Sequence, residues 1–355
     1  MRELATIRRV DEVTPIEGAD AIECVKVGGW RVVAKKNEMK EDDLIVFFEI
    51  DSFLPSSDER FAFLMQRGTK TLNGVEGFRL RTVKLRGQVS QGLALPLSLF
   101  PELEGVEEDT DVSETLNIIK YERPEPLRGK KPSHTKGDFP WFISKTDEPR
   151  IQNVKPITIQ QHRDTLFVPT LKLDGSSTTV YYVKDERYFI KPEEGETEQV
   201  GICSRNLLLD PNKDPDNHFV RGAIASDLFE IVAQIGRDLD WNLALQAETI
   251  GEGIVRSWEQ IEGPVSLVFS IYDIDRAEYL PAGRLMELIK TYDIPSTMFY
   301  DPIYAFRDYT QDELIAMADG PSLKNPIREG LVFKAMDGSY SFKSISNKFL
   351  LKGGE

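Results

Sequence analysis

Residues 166–175 read Leu166-Phe-Val-Pro-Thr-Leu-Lys172-Leu-Asp174-Gly175. A strand-like run from Leu166 to Leu171 delivers a lysine to its end, and an aspartate and a turn-forming glycine follow. A lysine so placed suits attack by an amine on a phosphoryl centre. Only about 0.1% of free lysine side chains are neutral near pH 7.4, so the amine needs burial or a nearby cation to depress its pKa. A magnesium ion beside it would supply that cation. Taken alone, the four residues Lys172 to Gly175 also describe a plain β-turn with a surface lysine.

Working outward, more charged residues fall on runs of the same β type. Ser204-Arg205-Asn206 is followed by Leu245-Gln-Ala-Glu248-Thr-Ile and by Phe269-Ser-Ile-Tyr-Asp273. Glu329-Gly-Leu-Val-Phe-Lys334 puts a carboxylate and an amine on opposite faces of an ideal strand, so a bulge or a strand end must bring both to one site. Phe342-Lys343-Ser-Ile-Ser346 adds another lysine. Each fragment has a bland reading: a solvated Glu248, a core Phe269, a Lys343 on an exposed strand face. Strands are expected over 166–172, 178–183, 244–250, 265–273, 329–335 and 340–345. Helices are expected over 219–235, where Phe219, Ile224, Leu228, Ile231, Val232 and Ile235 share one face, and over 285–292 and 311–317. Long strand-to-strand connections then point to an α+β domain of antiparallel sheets with flanking helices.

The first ~115 residues read as short strands with turns between them. Ile22 to Lys36 is broken by Gly28-Gly29, and Leu44 to Ile50 is an apolar run of buried-strand length. Phe78 to Arg86 alternates apolar residues with Arg79, Arg81, Lys84 and Arg86, and is expected to be one strand with a wet, basic face that binds RNA. These strands suggest an OB-like β-barrel over residues 1–118. Residues 119–140, rich in proline, glycine and charge, are the expected linker, and 141–355 the second domain.

Composition sets bounds on function. A net charge of −15 argues against a protein that coats nucleic acid, though not against an enzyme that gathers its cations locally. Two cysteines, Cys24 and Cys203, cannot form a disulfide scaffold and fit a cytoplasmic setting (a nuclear one in a eukaryote). They show no zinc spacing with His134, His162 and His218. No apolar run approaches the ~20 residues that cross a membrane.

The fragments gain force from their order. Lys-x-Asp-Gly, a serine-arginine element, a glutamate, an aromatic strand, Glu-Gly-x-x-x-Lys and a closing lysine strand occur in sequence from Lys172 to Lys343. The series resembles the covalent nucleotidyltransferases, the superfamily of nucleic-acid ligases and messenger-RNA capping enzymes. The resemblance implies that Lys172 attacks the α-phosphate of ATP to form lysyl-AMP. It implies that Asp174, Glu248 and Glu329 hold Mg2+ or Mn2+, in part through water, or the ribose hydroxyls. Gly175 completes the motif, Phe269 would stack on adenine, and Arg205 would contact ribose or the strand being sealed. Lys334 and Lys343 would neutralise the α-phosphate. The last motif departs from the usual pair of lysines, since Ile345 stands at the second position and leaves Lys348 as a candidate substitute.

Within the superfamily, the OB-like domain stands in front, and the chain ends 12 residues beyond Lys343. That order, with Lys145-Thr-Asp-Glu-Pro-Arg150-Ile-Gln152 and Leu85-Arg-Gly-Gln-Val-Ser-Gln-Gly92, is similar to the ATP-dependent RNA ligases of the Deinococcus and Naegleria type. The likeness places Arg150 and Gln152 near the nucleotide. It implies a monomer that joins 3′-OH and 5′-phosphate RNA ends, with a nicked duplex or RNA/DNA hybrid as partner. The residues also leave open a DNA ligase or a capping-type guanylyltransferase with the same lysyl-nucleotide chemistry, and a binding module with an inactive site.

Overall fold

The strand Leu44–Phe48 shows why the front of the chain folds as it does. Ile45 and Phe47 enter one apolar cluster with Val25, Trp30, Val32 and Ala94, whereas Val46 and Phe48 enter another with Ile7, Leu54, Phe61 and Phe100. A strand buried on both faces has no position for a polar residue, hence its unbroken apolar run. It pairs antiparallel with Ala5–Arg9 on one side and Leu93–Pro96 on the other. Gly28-Gly29 links Ile22–Val27 to Trp30–Lys35 as a two-residue hairpin turn.

The computed structural model describes residues 2–121, 135–254 and 258–353. The chain divides into two compact units, one holding Met1–Leu127 with Leu350–Gly353 and the other Arg128–Phe349. Of the expected linker 119–140, residues 122–134 lie outside the described residues. Both of its flanks are strands. Ile119–Lys120 pairs with Phe53 and Ser52, and Thr135–Asp138 forms the edge of the second unit's large sheet.

The second unit contains a seven-stranded sheet, with strands Gln199–Ser204, Ser176–Val183, Leu243–Gly251 and Pro264–Asp273 at its centre. Its pairings are antiparallel. Val180, Tyr182, Leu245 and Ile271 face the helices His218–Ala225 and Leu228–Leu239, while Tyr181, Val183 and Tyr272 face Phe142 and Tyr188. A three-stranded antiparallel sheet, Phe167–Lys172 beside Gly330–Ala335 beside Ser341–Ile345, packs its own core of Phe167, Phe333 and Phe342.

Two expected elements are divided. The helix over 219–235 breaks at Ser226-Asp227, where Asp227 takes a left-handed φ of 51° and the Ser226 hydroxyl accepts the Ser266 N–H at 2.9 Å. The strand over 78–86 is two strands, Val75–Arg79 and Val83–Leu85. The sequence contains the reason: the basic residues sit at odd positions up to Arg81 and at even positions from Lys84. A period-two pattern that changes phase cannot present one face.

Candidate functional site

Lys172 lies at the end of its strand, and the next strand begins at Ser176 in the other sheet. Leu173, Asp174 and Gly175 therefore carry the chain across from one sheet to the other. Gly175 is required by contact. A Cβ there would lie 2.4 Å from the Thr249 carbonyl oxygen and 3.0 Å from Glu248 Cγ. Gly330, paired to Lys172 on one side and Ile345 on the other, is equally constrained, because a Cβ would lie 2.1 Å from the Ser344 carbonyl oxygen. The two glycines let the crossing and the central strand close up around the lysine.

The Lys172 ammonium donates to Glu329 Oε1 at 2.6 Å, with 29% of the lysine side chain and 14% of the glutamate side chain exposed. Glu329 precedes its strand, so the strand end brings this carboxylate to the site. Burial is the largest influence on Lys172 and pulls its pKa down, but Glu329, Glu248 and Asp174 together outweigh it and hold the amine above its ordinary value. Glu248, opposite Ser177 in the large sheet, accepts the Gly175 N–H. Burial pushes Glu248 up to about 8 against the attraction of Lys172, with Glu329 and Asp174 adding repulsion.

Among the described residues, no group of three or more His, Cys, Asp or Glu side chains is arranged to hold a metal directly. The donor set fits a hydrated ion instead. Three carboxylates surround one ammonium, and Glu329 Oε2 is buried with no hydrogen-bond partner. A divalent cation that keeps its water shell suits such a cluster.

Cations complete the site. Lys343 donates to Asp147 Oδ1 at 3.1 Å, and its backbone N–H donates to the Pro149 carbonyl. The backbones of Arg150 and Lys343 form an isolated parallel β-bridge, and Arg150 is 8% exposed. Burial lowers the Lys343 pKa, with Lys172 and Arg150 acting in the same direction and Asp147 opposing. Gln152 is 4% exposed, and neither of its amide atoms has a hydrogen-bond partner among the described residues. Asp147 was missed in the sequence, where its only signal was its place in Lys145-Thr-Asp-Glu-Pro-Arg-Ile-Gln152.

The other expected residues have different surroundings. Lys334 does not join the cluster: its ammonium binds the Phe269 carbonyl oxygen and the Ser270 hydroxyl, the latter at 2.7 Å. The pairing of Leu243–Gly251 with Pro264–Asp273 skips Phe269, a bulge that frees this carbonyl from the ladder. Burial draws Lys334 down to about 8. The half-buried Phe269 ring lies 5.4 Å from that ammonium. Arg205 is exposed just after the strand Gln199–Ser204. Lys348, the candidate substitute for a lysine at Ile345, pairs with Asp319 at 3.2 Å, while Ile345 itself is buried. In the front unit Arg79 departs from the expected wet face. Its guanidinium pairs with Asp51 at 2.7 Å over the Tyr121 ring, leaving 8% of the side chain exposed.

The profile of the RNA ligase family matches residues 165–352, and an OB-fold domain profile matches residues 4–97. The chain belongs to the RNA ligase family. A Naegleria gruberi RNA ligase, solved as a lysine-to-alanine mutant with ATP and Mn, aligns over 99% of this ligase and 100% of that chain at 40% identity and a TM-score of 0.84. A lysine-to-methionine mutant of the same enzyme with AMP and Mn aligns at 41% identity, a TM-score of 0.84 and 99% of each chain. The form with PPi gives 41% identity, 0.83 and again 99% of each. No match was found among curated protein sequences. Membership in the family sets aside the DNA ligase and guanylyltransferase alternatives, and the front and rear folds agree with the expected OB-then-ligase order.

Proposed function

We propose that this ligase uses ATP and a divalent metal to seal 3′-OH/5′-phosphate breaks at nicks in an RNA duplex or RNA/DNA hybrid. The observation that carries the reading is the Lys172 amine, 2.6 Å from Glu329 and flanked electrostatically by Glu248 and Asp174 where two sheets meet. The Naegleria relatives solved with ATP, AMP and PPi support the choice of nucleotide. One motif series on one chain supplies every group invoked, so the enzyme acts as a monomer.

Lys172 loses its proton and attacks the α-phosphorus of ATP. The N–P bond forms, the bond to the bridging α–β oxygen breaks, and pyrophosphate leaves. A 5′-phosphate oxygen of the strand then attacks the same phosphorus and frees Lys172. Finally the 3′-OH attacks the 5′-phosphate and expels AMP. Glu329 and its neighbours keep the resting amine charged, and a bound divalent cation would offset their field and favour the neutral amine. Lys343 and Arg150 face the α-phosphate as charge develops, Phe269 covers the adenine, and Arg205 meets ribose or the strand. Lys334 is left with a bracing role. Labelled ATP with a divalent metal should yield an acid-labile, alkali-stable protein–AMP adduct, and Lys172→Met should abolish adduct and sealing together. Adduct formation by that variant would remove Lys172 from the reaction.

A further inference from the structure

The front unit carries cations that its own acids do not satisfy. Arg2, Arg8, Arg9, Arg60 and Arg79 each lie within 3.5 Å of a carboxylate, as befits a chain with 15 excess negative charges. Arg81, Lys84 and Arg86 are exposed and have no such partner among the described residues. Lys84 and Arg86 stand on one hairpin, Val83–Leu85 against Gln88–Ser90, and Arg81 stands at its base.

The base is fixed and the tip is open. Thr82, Ser90 and Gln91 are buried. The Ser90 hydroxyl accepts the Val33 N–H at 2.9 Å, the Gln91 N–H donates to the Arg31 carbonyl oxygen at 2.8 Å, and the Gln91 amide reaches the Thr82 hydroxyl at 3.2 Å. At the tip, Arg86 and Gly87 form a two-residue turn with φ of 47° and 86°. Asn, Asp or Gly is the usual residue at the first of these positions, and a long side chain there is disfavoured. The hairpin thus keeps a cation at a backbone position that disfavours it, on a rigid stem.

We infer that the hairpin 83–90, with Arg81, is a finger that grips the phosphate backbone of the RNA substrate. The inference rests on the RNA-sealing reading above. Phosphate is the occupant because the finger offers charge without an apolar pocket: Val83, Leu85 and Val89 are half-buried, and Arg81, Lys84, Arg86 and Gly87 are what it exposes. Arg79 is excluded by its pairing with Asp51.

The test is the salt dependence of binding to a nicked RNA duplex, measured on the full chain. Arg81→Ala, Lys84→Ala and Arg86→Ala combined should weaken binding and flatten the log–log salt slope by about 2 to 3, near 0.9 per lost phosphate contact. Lys36→Ala, Lys40→Ala and Lys70→Ala combined remove equal charge from other exposed positions of the unit and should change the slope by less than one contact. Arg81→Lys with Arg86→Lys should keep the wild-type slope. An unchanged slope in the first variant, or equal losses in the first two, overturns the finger. Adduct formation with ATP is read in parallel and needs no RNA. A finger variant that binds RNA like wild type while wild type labels and seals refutes the finger alone, whereas a wild type that fails to label refutes the parent reading.

Discussion

Lys172, as the proposed nucleophile, rests in the charged state and would have to work in the neutral one. The sequence argues for a depressed pKa, whereas its three carboxylate neighbours raise it. Glu329→Gln removes one of these anions with little change of shape. Without metal, the Lys172 pKa should therefore fall in the variant, read by pH-dependent amine modification. With metal, the wild-type pKa should drop further than the variant's, and adduct formation by the variant should slow by at least ~10²-fold. Equal pKa values and equal metal responses, with only stability altered, would make Glu329 a strand brace. Glu248 carries a separate signature. Its pKa is raised from 4.5 to about 8, so the folded state holds its proton more tightly than the unfolded state and stability declines as pH rises through that window. Metal-free Glu248→Gln should accordingly melt higher than wild type at pH 8 and gain little near pH 4.5. Thermal melts across that range decide it, and an equal difference at all pH values would refute the assignment.

At the scale of elements, the second unit was readable because its strands are continuous β-type runs. Phe167–Lys172, Gly330–Ala335 and Ser341–Ile345 fall within about a residue of expectation, inside the usual uncertainty of element ends. The assembly of Lys172 with Glu329, Glu248, Asp174 and Lys343 followed from motif order, not from periodicity. What could not be read was decided by distant partners. The destination of Lys334 depends on a bulge 65 residues away, which no local pattern announces. The phase change between Arg81 and Lys84 is visible in the sequence, yet the alternation on its two sides suggests a single strand. The bracing of Lys334 is testable, because Lys334→Met leaves a buried carbonyl and hydroxyl without their donor. That change should cost about 1–3 kcal/mol of stability, measured by denaturant unfolding. An unchanged midpoint would mean that the ammonium is engaged elsewhere, as it would be on a phosphate.

At the scale of the whole molecule, two compact units raise the question of which tasks belong to each. The groups proposed for adenylylation, Arg150, Lys172, Asp174, Glu248, Glu329 and Lys343, all fall in the second, and the exposed cations Arg81, Lys84 and Arg86 fall in the first. A truncated chain is the direct comparison, and where it begins matters. A start at Pro140, natural if 119–140 were only a linker, would strip Thr135–Asp138 from the edge of the seven-stranded sheet and expose the strand Leu207–Leu209 to which it is bonded. An uncovered edge invites aggregation, so failure of that protein would say nothing about division of labour. A start just before Thr135 keeps the sheet whole. That chain should still form the Lys172–AMP adduct with ATP and metal, because none of its invoked groups is removed. It should bind nicked RNA weakly and with a shallow salt slope, and seal it slowly even when pre-adenylylated. Adduct formation and strand closure measured side by side separate the two tasks. Sealing at the full-length rate would leave residues 2–121 without a part in holding the strand.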